Sequence, residues 1–211
     1  MKTDDLIDAL AAGLQPAPPA RLNALLLACA VAASVAAGAI LLGVRPALAE
    51  VLSSPTTWMK GLYTTGLAGA ALWLSARAGR PGADTRGPLA ALAAIVGLAM
   101  LWGAVELLTM PDSERLADWL GRTWTICGRN ILLVSTVAVV PTFLSARRLA
   151  PTRPAFSGFA LGVATGGIAA TAYGMLHCPE STAAFVATWY TIGVAVAGLI
   201  GAAAGRFALR W

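Results

Sequence analysis

The chain has 211 residues, of which 58% are hydrophobic and only 12% are charged, and its formal net charge is +5. Soluble domains carry about 25% charged residues, so the composition excludes an ordinary soluble protein and predicts an integral membrane protein. In such a protein the basic excess bears on membrane orientation, and we expect no direct binding of nucleic acid.

The N-terminal segment is predicted to form a short acidic amphipathic helix. Thr3 can cap this helix, and aspartates follow in its first turn, where the helix dipole favours negative charge. Its apolar residues fall on one face at helical spacing, and prolines between residues 16 and 19 end it as a stiff tether. The residues expected to contact a partner are Asp4, Asp5, Leu6, Ile7, Asp8, Leu10 and Leu14.

The acidic character of this helix indicates the kind of partner. A membrane-surface helix carries basic residues that meet anionic lipid, whereas this segment has three aspartates and a single lysine, Lys2. An acidic amphipathic helix suits a basic protein with an apolar groove. The alternative is a short solvated tail.

Six apolar spans follow, each long enough to cross a hydrocarbon core about 30 Å thick. The joins between them are short and marked by prolines, so neighbouring spans should pack as antiparallel hairpins. The predicted fold is an all-α integral membrane protein, with a cytoplasmic segment at 1–21 and a transmembrane domain at 22–211. The predicted spans are 22–44, 57–76, 87–109, 124–145, 154–176 and 184–206.

The distribution of Lys and Arg predicts the orientation, because cytoplasmic loops carry an excess of these residues. The side with few basic residues holds Arg45, Arg115 and Arg122. The opposite side holds Lys2, Arg21, Arg77, Arg80, Arg86, Arg147, Arg148, Arg153, Arg206 and Arg210. Both termini are therefore expected in the cytoplasm.

Two cysteines are expected at one membrane depth on the outer side. Cys178 follows the fifth span, and Cys127 lies in the first turns of the fourth. In an oxidising compartment two apposed thiols can form a disulfide. Alternatively, the two thiolates with His177 and Glu180 form a site for a soft or borderline metal ion such as zinc, copper or cadmium. A third interpretation is that both cysteines are small buried residues.

Further polar residues are expected near the same depth: Lys60, Glu106, Arg129 and Asn130. A charge at the centre of a membrane helix costs about 2.5–3.5 kcal/mol on insertion scales. We therefore expect Glu106 to pair with Arg129 or Lys60. Snorkelling to the interface is the alternative for the two cations.

Two further patterns concern packing. Gly158, Gly162 and Gly166 form a row along one helix face, and such rows let helix backbones approach closely. Packing within the bundle is favoured over a dimer interface as its role. The third cysteine, Cys29, lies among alanines in the first span and is interpreted as a small packing residue.

The chain resembles the NrsF-type family of six-span membrane anti-sigma factors. The resemblance rests on "MKTDDLIDALAAGL" at the start, "WTICGRNI", "HCPE" and "FVATWYTIG". It implies a protein of the bacterial inner membrane whose N-terminal segment sequesters an extracytoplasmic-function sigma factor. It also implies that Cys127 and Cys178 are sensors of heavy-metal or oxidative stress.

Neither of the other functional classes has a comparable pattern. A small transporter or channel with a metal-binding outer mouth is the alternative function, but the inner halves of the spans carry few polar groups. An enzyme is not expected, because the chain lacks a C-x-x-C motif and holds a single histidine.

Overall fold

The computed structural model describes residues 3–12, 21–46, 48–147 and 149–209, and this part of the chain is helical apart from its turns and joins. Leu14, a predicted partner-binding residue, lies outside the described residues. The helices are α1 (Thr3–Ala11), α2 (Ala24–Ala37), α3 (Leu48–Ser53), α4 (Pro55–Ala78), α5 (Arg86–Thr109), α6 (Asp112–Leu120), α7 (Trp124–Ser145), α8 (Pro154–Leu176), α9 (Ala183–Phe185) and α10 (Thr191–Ala208).

Two π-helical segments interrupt this series. Gly38–Leu42 extends α2, and Val186–Tyr190 joins α9 to α10. Segments of this kind are rare and are often found at functional sites. The short helices α3 and α6 were not predicted, because their mixed polar and apolar residues were assigned to the joins between spans.

Five helical segments among the described residues are long and apolar enough to cross a membrane. They are Ala24–Leu42, Arg86–Thr109, Asp112–Ser145, Pro154–Leu176 and Ala183–Ala208. The predicted span 57–76 falls on α4, which has 24 residues but is not among the five. Its lysine and its threonines lower its apolarity.

The core of the molecule is built around α8. In the most apolar part of α8, 72% of residues are buried within the protein, against 6% for α5. α5 is therefore a peripheral helix, whereas α8 is enclosed by α2, α4, α7 and α10.

Glycines set the distance between α8 and α10. A Cβ atom added to Gly201 would lie 2.7 Å from the Cα atom of Gly162, and one added to Gly205 would lie 2.7 Å from the Cα atom of Gly158. The predicted glycine row thus packs within one chain, as expected. Cys29, in contrast, is exposed on α2, so its interpretation as a packing residue was wrong.

None of the described residues of the N-terminal helix α1 is buried. Leu6, Ile7 and Leu10 are 44%, 57% and 68% exposed. The amphipathic helix predicted from the sequence is present, and its apolar face is open.

Candidate functional site: a buried thiol pair

Cys127 and Cys178 lie side by side in the core. Cys127 is in the first turn of α7, and Cys178 follows the last turn of α8. Both side chains are 0% exposed, both are free thiols, and the two thiol groups interact directly. The juxtaposition predicted from the sequence is therefore present, although 51 positions separate the two residues along the chain.

Residues 177–182, which follow α8 and are called the Cys178 segment below, are held in place by their own polar groups. The backbone N–H of Cys178 donates to the carbonyl of Tyr173 at 3.0 Å, which closes the end of α8. The carboxylate of Glu180 accepts a hydrogen bond from the backbone N–H of Arg122 at 2.8 Å. Because Arg122 lies two residues before the start of α7, Glu180 ties the Cys178 segment to the helix that carries Cys127.

Lys60 reaches the thiol pair from α4. It is only 3% exposed, and its ammonium donates to the carbonyl of Cys178 at 3.1 Å and to that of Glu180 at 2.8 Å. A buried ammonium is tolerated when acceptors replace its water. Lys60 therefore fixes the backbone on both sides of Pro179, and it does not snorkel.

The ion pair predicted for Glu106 was wrong. Among the residues that the structure describes, the ion pair found joins Arg115 and Asp112. The Glu106 carboxylate instead accepts the backbone N–H of Ala184 at 3.0 Å. Arg129 is exposed on α7, since its long side chain can reach the surface while the helix stays in the bundle.

The electrostatic surroundings favour the Cys178 thiolate. The hydrogen bond with Cys127 and the positive charge of Lys60 lower the pKa of the Cys178 thiol below its ordinary value, although burial acts in the opposite direction. Thiolates are the nucleophilic and metal-binding form of cysteine. Cys178 is therefore the member of the pair that ionises more readily.

Two tyrosines beside the thiols were not predicted. Tyr173 and Tyr190 are each 0% exposed, and their ring centroids are 6.0 Å apart. Within the described part of the chain neither hydroxyl has a hydrogen-bond partner of good geometry. Both hydroxyls lie close enough to feel the charge of the thiols. Asn130, which was predicted in this site, is buried and lies against Tyr173.

His177 does not join the cysteines. Its Nδ1 atom lies 3.3 Å from the carbonyl oxygen of Gly43, and its ring packs against Tyr173. No group of three or more His, Cys, Asp or Glu side chains suited to a metal ion occurs in the described ranges. The arrangement offers two adjacent sulfur ligands, and the three-ligand set with His177 is not assembled.

The first apolar helix is tied to both cysteine-bearing elements. At one end, Arg45 donates from its guanidinium to the carbonyl of Cys178 at 2.9 Å and from its backbone N–H to Leu176 at 3.0 Å. At the other end, the backbone N–H of Asn23 donates to the carbonyl of Ser145, the last residue of α7, at 3.1 Å. Arg45 had been placed only as an outer-side charge, because nothing in the sequence relates it to a residue 133 positions away.

An aromatic cluster covers the same end of the bundle. The ring of Trp189 lies 5.7 Å from that of Trp119 and 5.1 Å from that of Trp124. The indole N–H of Trp189 donates to the carbonyl of Trp119 at 3.0 Å. Clusters of tryptophan are typical of membrane–water interfaces.

The family model and the similar proteins found by comparison all indicate the same family. The family model described as "Negative regulator of sigma F" matches residues 10–211. The chain is 43% identical to the anti-sigma-F factor NrsF of Caulobacter vibrioides and 37% identical to the probable anti-sigma-F factor NrsF of Azospira oryzae, in each case over the full length of both chains. No solved structure matches. The chain is matched over nearly its whole length and therefore belongs to the negative regulator of sigma F family, a regulatory and non-enzymatic class of proteins.

Proposed function

We propose that this protein is an anti-sigma factor of the bacterial inner membrane, which binds an extracytoplasmic-function sigma factor through α1 and releases it when Cys127 and Cys178 react. The full-length similarity to relatives named anti-sigma-F factors is the observation that carries the regulatory role. The open apolar face of α1 supports its use as the binding segment, because three apolar side chains are exposed on one acidic helix.

We also propose six spans, with α4 as the second and both termini in the cytoplasm. α4 has 24 residues and packs along α8, so it shares the membrane depth of a helix that is itself long enough to span. A partly polar helix can be held in a bilayer when its polar residues face the bundle. Thr57, Lys60 and Thr64 are buried on this face.

The signal is proposed to be either an oxidant or a soft metal ion. With a peroxide, the Cys178 thiol is oxidised to a sulfenic acid while the peroxide is reduced to an alcohol or water. The Cys127 thiol then displaces water and the S–S bond forms. A soft or borderline ion such as cadmium, copper or zinc would instead be held by the two sulfurs, and the proton of the Cys127 thiol would be released.

Either event changes how α7 meets the Cys178 segment. A disulfide brings the two sulfur atoms to about 2.05 Å, well inside the distance of two free thiols in contact. α2 is bonded at one end to the Cys178 segment through Arg45 and at the other to the end of α7 through Asn23. A shift between those two elements must therefore move α2 or break one of its ties. Since α1 precedes α2 in the chain, this is the proposed route to α1.

The transporter alternative finds less support. The hydroxyls of Ser75, Ser135, Thr142 and Thr165 are buried, and each donates to a carbonyl one turn earlier in its own helix. Hydroxyls satisfied in this way do not offer a hydrated path.

The binding role of α1 is tested by placing one charge on either face. Leu10→Asp should abolish binding of the sigma factor encoded nearest the gene, since a carboxylate in an apolar groove is not paired. Ala11→Asp adds the same charge to the face that already carries Asp4 and Asp8, and it should bind normally. The measurement is co-purification with that sigma factor together with a transcriptional reporter. Equal binding by both variants would contradict the assignment to α1.

A further inference from the structure

A cleft runs along the peripheral helix α5, and it shares Lys60 with the surroundings of the thiol pair. It has a volume of about 570 Å³, within the range of about 300–1,000 Å³ typical of ligand sites. Helices α4 and α5 form its sides, and α9 with the π-helical segment after it forms the back wall. Leu98 and Trp102 on its rim are 67% and 58% exposed, so the cleft opens sideways toward lipid.

The two ends of the cleft differ in polarity. Lys60, Glu106 and Ser181 line the end near the thiol pair, whereas Gly66 and Ile95 line the far end. From Ile95 to Glu106 along α5 the distance is about 16 Å at 1.5 Å per residue. This is about half of a hydrocarbon core of about 30 Å. The cleft thus has the polarity and the length of one lipid leaflet.

The polar end contains one cation and one carboxylate that do not pair with each other. In the described part of the chain no ion pair involves Lys60 or Glu106. Lys60 uses two N–H groups on backbone carbonyls, and an ammonium has three. One oxygen of Glu106 accepts the N–H of Ala184, and a carboxylate has two. The hydrogen bonds found among the described residues thus leave one donor of Lys60 and one acceptor oxygen of Glu106 unused, and both side chains line the cleft.

A single lipid headgroup satisfies both groups. We propose that this cleft binds a zwitterionic phospholipid with a primary ammonium, of the phosphatidylethanolamine type, whose phosphate meets Lys60 and whose ammonium meets Glu106. One acyl chain lies along Ile95 and Trp102. An anionic lipid would leave the Glu106 carboxylate facing a like charge, and a lipid without a headgroup would leave both charged groups without a partner. Binding of this lipid does not depend on the proposed regulatory function.

The test is native mass spectrometry of the full chain after delipidation in detergent. Phosphatidylethanolamine, phosphatidylglycerol and diacylglycerol with identical acyl chains are titrated in turn. The expected result is a single site that prefers phosphatidylethanolamine by about tenfold, the effect of one charge-assisted hydrogen bond. Equal affinity for the three lipids would overturn the proposal, because the cleft would then hold acyl chains without selecting a headgroup.

Three variants test whether lipid binding depends on this cleft or on a general change in the protein. Ala99→Phe fills the cleft from α5 and should weaken phosphatidylethanolamine binding at least about tenfold. Ala94→Phe puts the same ring on an exposed position of α5 outside the cleft and should leave binding unchanged. Glu106→Gln keeps an acceptor for Ala184 and should remove the preference for phosphatidylethanolamine over phosphatidylglycerol. If Ala99→Phe and Ala94→Phe bind alike, or Glu106→Gln keeps the preference, the proposed site is wrong.

Discussion

The guanidinium of Arg45 donates a hydrogen bond to the carbonyl oxygen of Cys178 across 2.9 Å. Lys60 donates to the same oxygen from α4 at 3.1 Å. Two cations, one from the join that follows α2 and one from α4, thus meet at the backbone of Cys178. Charge-assisted hydrogen bonds of this kind contribute about 1.5–3 kcal/mol each, so the backbone of Cys178 cannot move without a response from α2 or α4.

Arg45→Met should separate the reaction at the thiols from release of the sigma factor. The variant keeps the long side chain but loses the donor to Cys178, so α2 loses part of its tie to the Cys178 segment. We expect disulfide formation to proceed while release falls about tenfold or more, given the strength of the lost bond. The measurement combines mass spectrometry of the disulfide with a sigma-dependent reporter.

Arg122→Met is the matched control for this experiment. Glu180 accepts the backbone N–H of Arg122, and methionine retains that N–H. The control should release the sigma factor as the wild type does. Normal release by Arg45→Met would show that the signal reaches α1 by another route.

Replacing each cysteine by serine tests the sensor pair. Cys127→Ser and Cys178→Ser should each abolish the response to oxidant and to soft metal, because one sulfur can form neither an internal disulfide nor a two-sulfur site. Burying a hydroxyl in place of a thiol costs about 1–3 kcal/mol if it finds no partner, so binding of the sigma factor at rest is measured alongside. Cys29→Ser, at an exposed position, is the control and should respond normally. A response retained in Cys178→Ser would exclude the pair as the sensor.

The sequence predicts those parts of the molecule that depend on local composition. The span 154–176 coincides with α8 because an uninterrupted apolar run between two prolines has few alternatives. The pairing of Cys127 with Cys178 followed from membrane depth alone, since helices that begin and end at one surface bring their terminal residues to the same level. These inferences need no knowledge of which helix faces which.

Lateral contacts could not be predicted in this way. Glu106 and Lys60 are at similar depths, yet each is bonded to backbone groups, and sequence patterns carry no information about backbone partners. The hydrogen bond between the Arg45 guanidinium and the Cys178 carbonyl also joins a side chain to a backbone group, so the sequence pattern did not indicate it. Tyr190 was part of a recognised motif, but only packing places its ring between Phe185 and Tyr173.

Glycine substitutions test whether close backbone contact holds the bundle together. Gly201→Ala would place a Cβ atom 2.5 Å from the carbonyl oxygen of Gly158 and 2.7 Å from the Cα atom of Gly162. Backbone atoms cannot rotate away, so α8 and α10 must separate, and we expect a loss of about 1–3 kcal/mol. Thermal unfolding in detergent measures this loss.

Gly69→Ala provides the control for this substitution. No atom lies within 4 Å of a Cβ placed at Gly69, and alanine favours a helix over glycine by about 0.8–1.0 kcal/mol. The variant should therefore be as stable as the wild type or slightly more stable. If both variants unfold at the same temperature, close contact between α8 and α10 does not determine stability.

A pH profile tests whether Cys178 reacts as a thiolate. The surroundings lower the pKa of Cys178 to about 5, so the thiol is ionised at neutral pH. The rate of disulfide formation with peroxide should therefore change little across neutral pH and fall only at acid pH. An ordinary thiol, with a pKa of about 8.5, would still gain reactivity up to alkaline pH.

The lowered pKa of Cys178 also predicts how the stability of the fold changes with pH. A group whose pKa is lower in the folded than in the unfolded protein stabilises the fold above its unfolded pKa, and this contribution is lost as the pH falls through the folded value. The melting temperature of the wild type should therefore drop on acidification more than that of Cys178→Ser, which has no thiol to protonate. Identical pH profiles for the two proteins would mean that the Cys178 thiolate contributes nothing to the folded state, and Lys60 would then serve only to hold the backbone of the Cys178 segment.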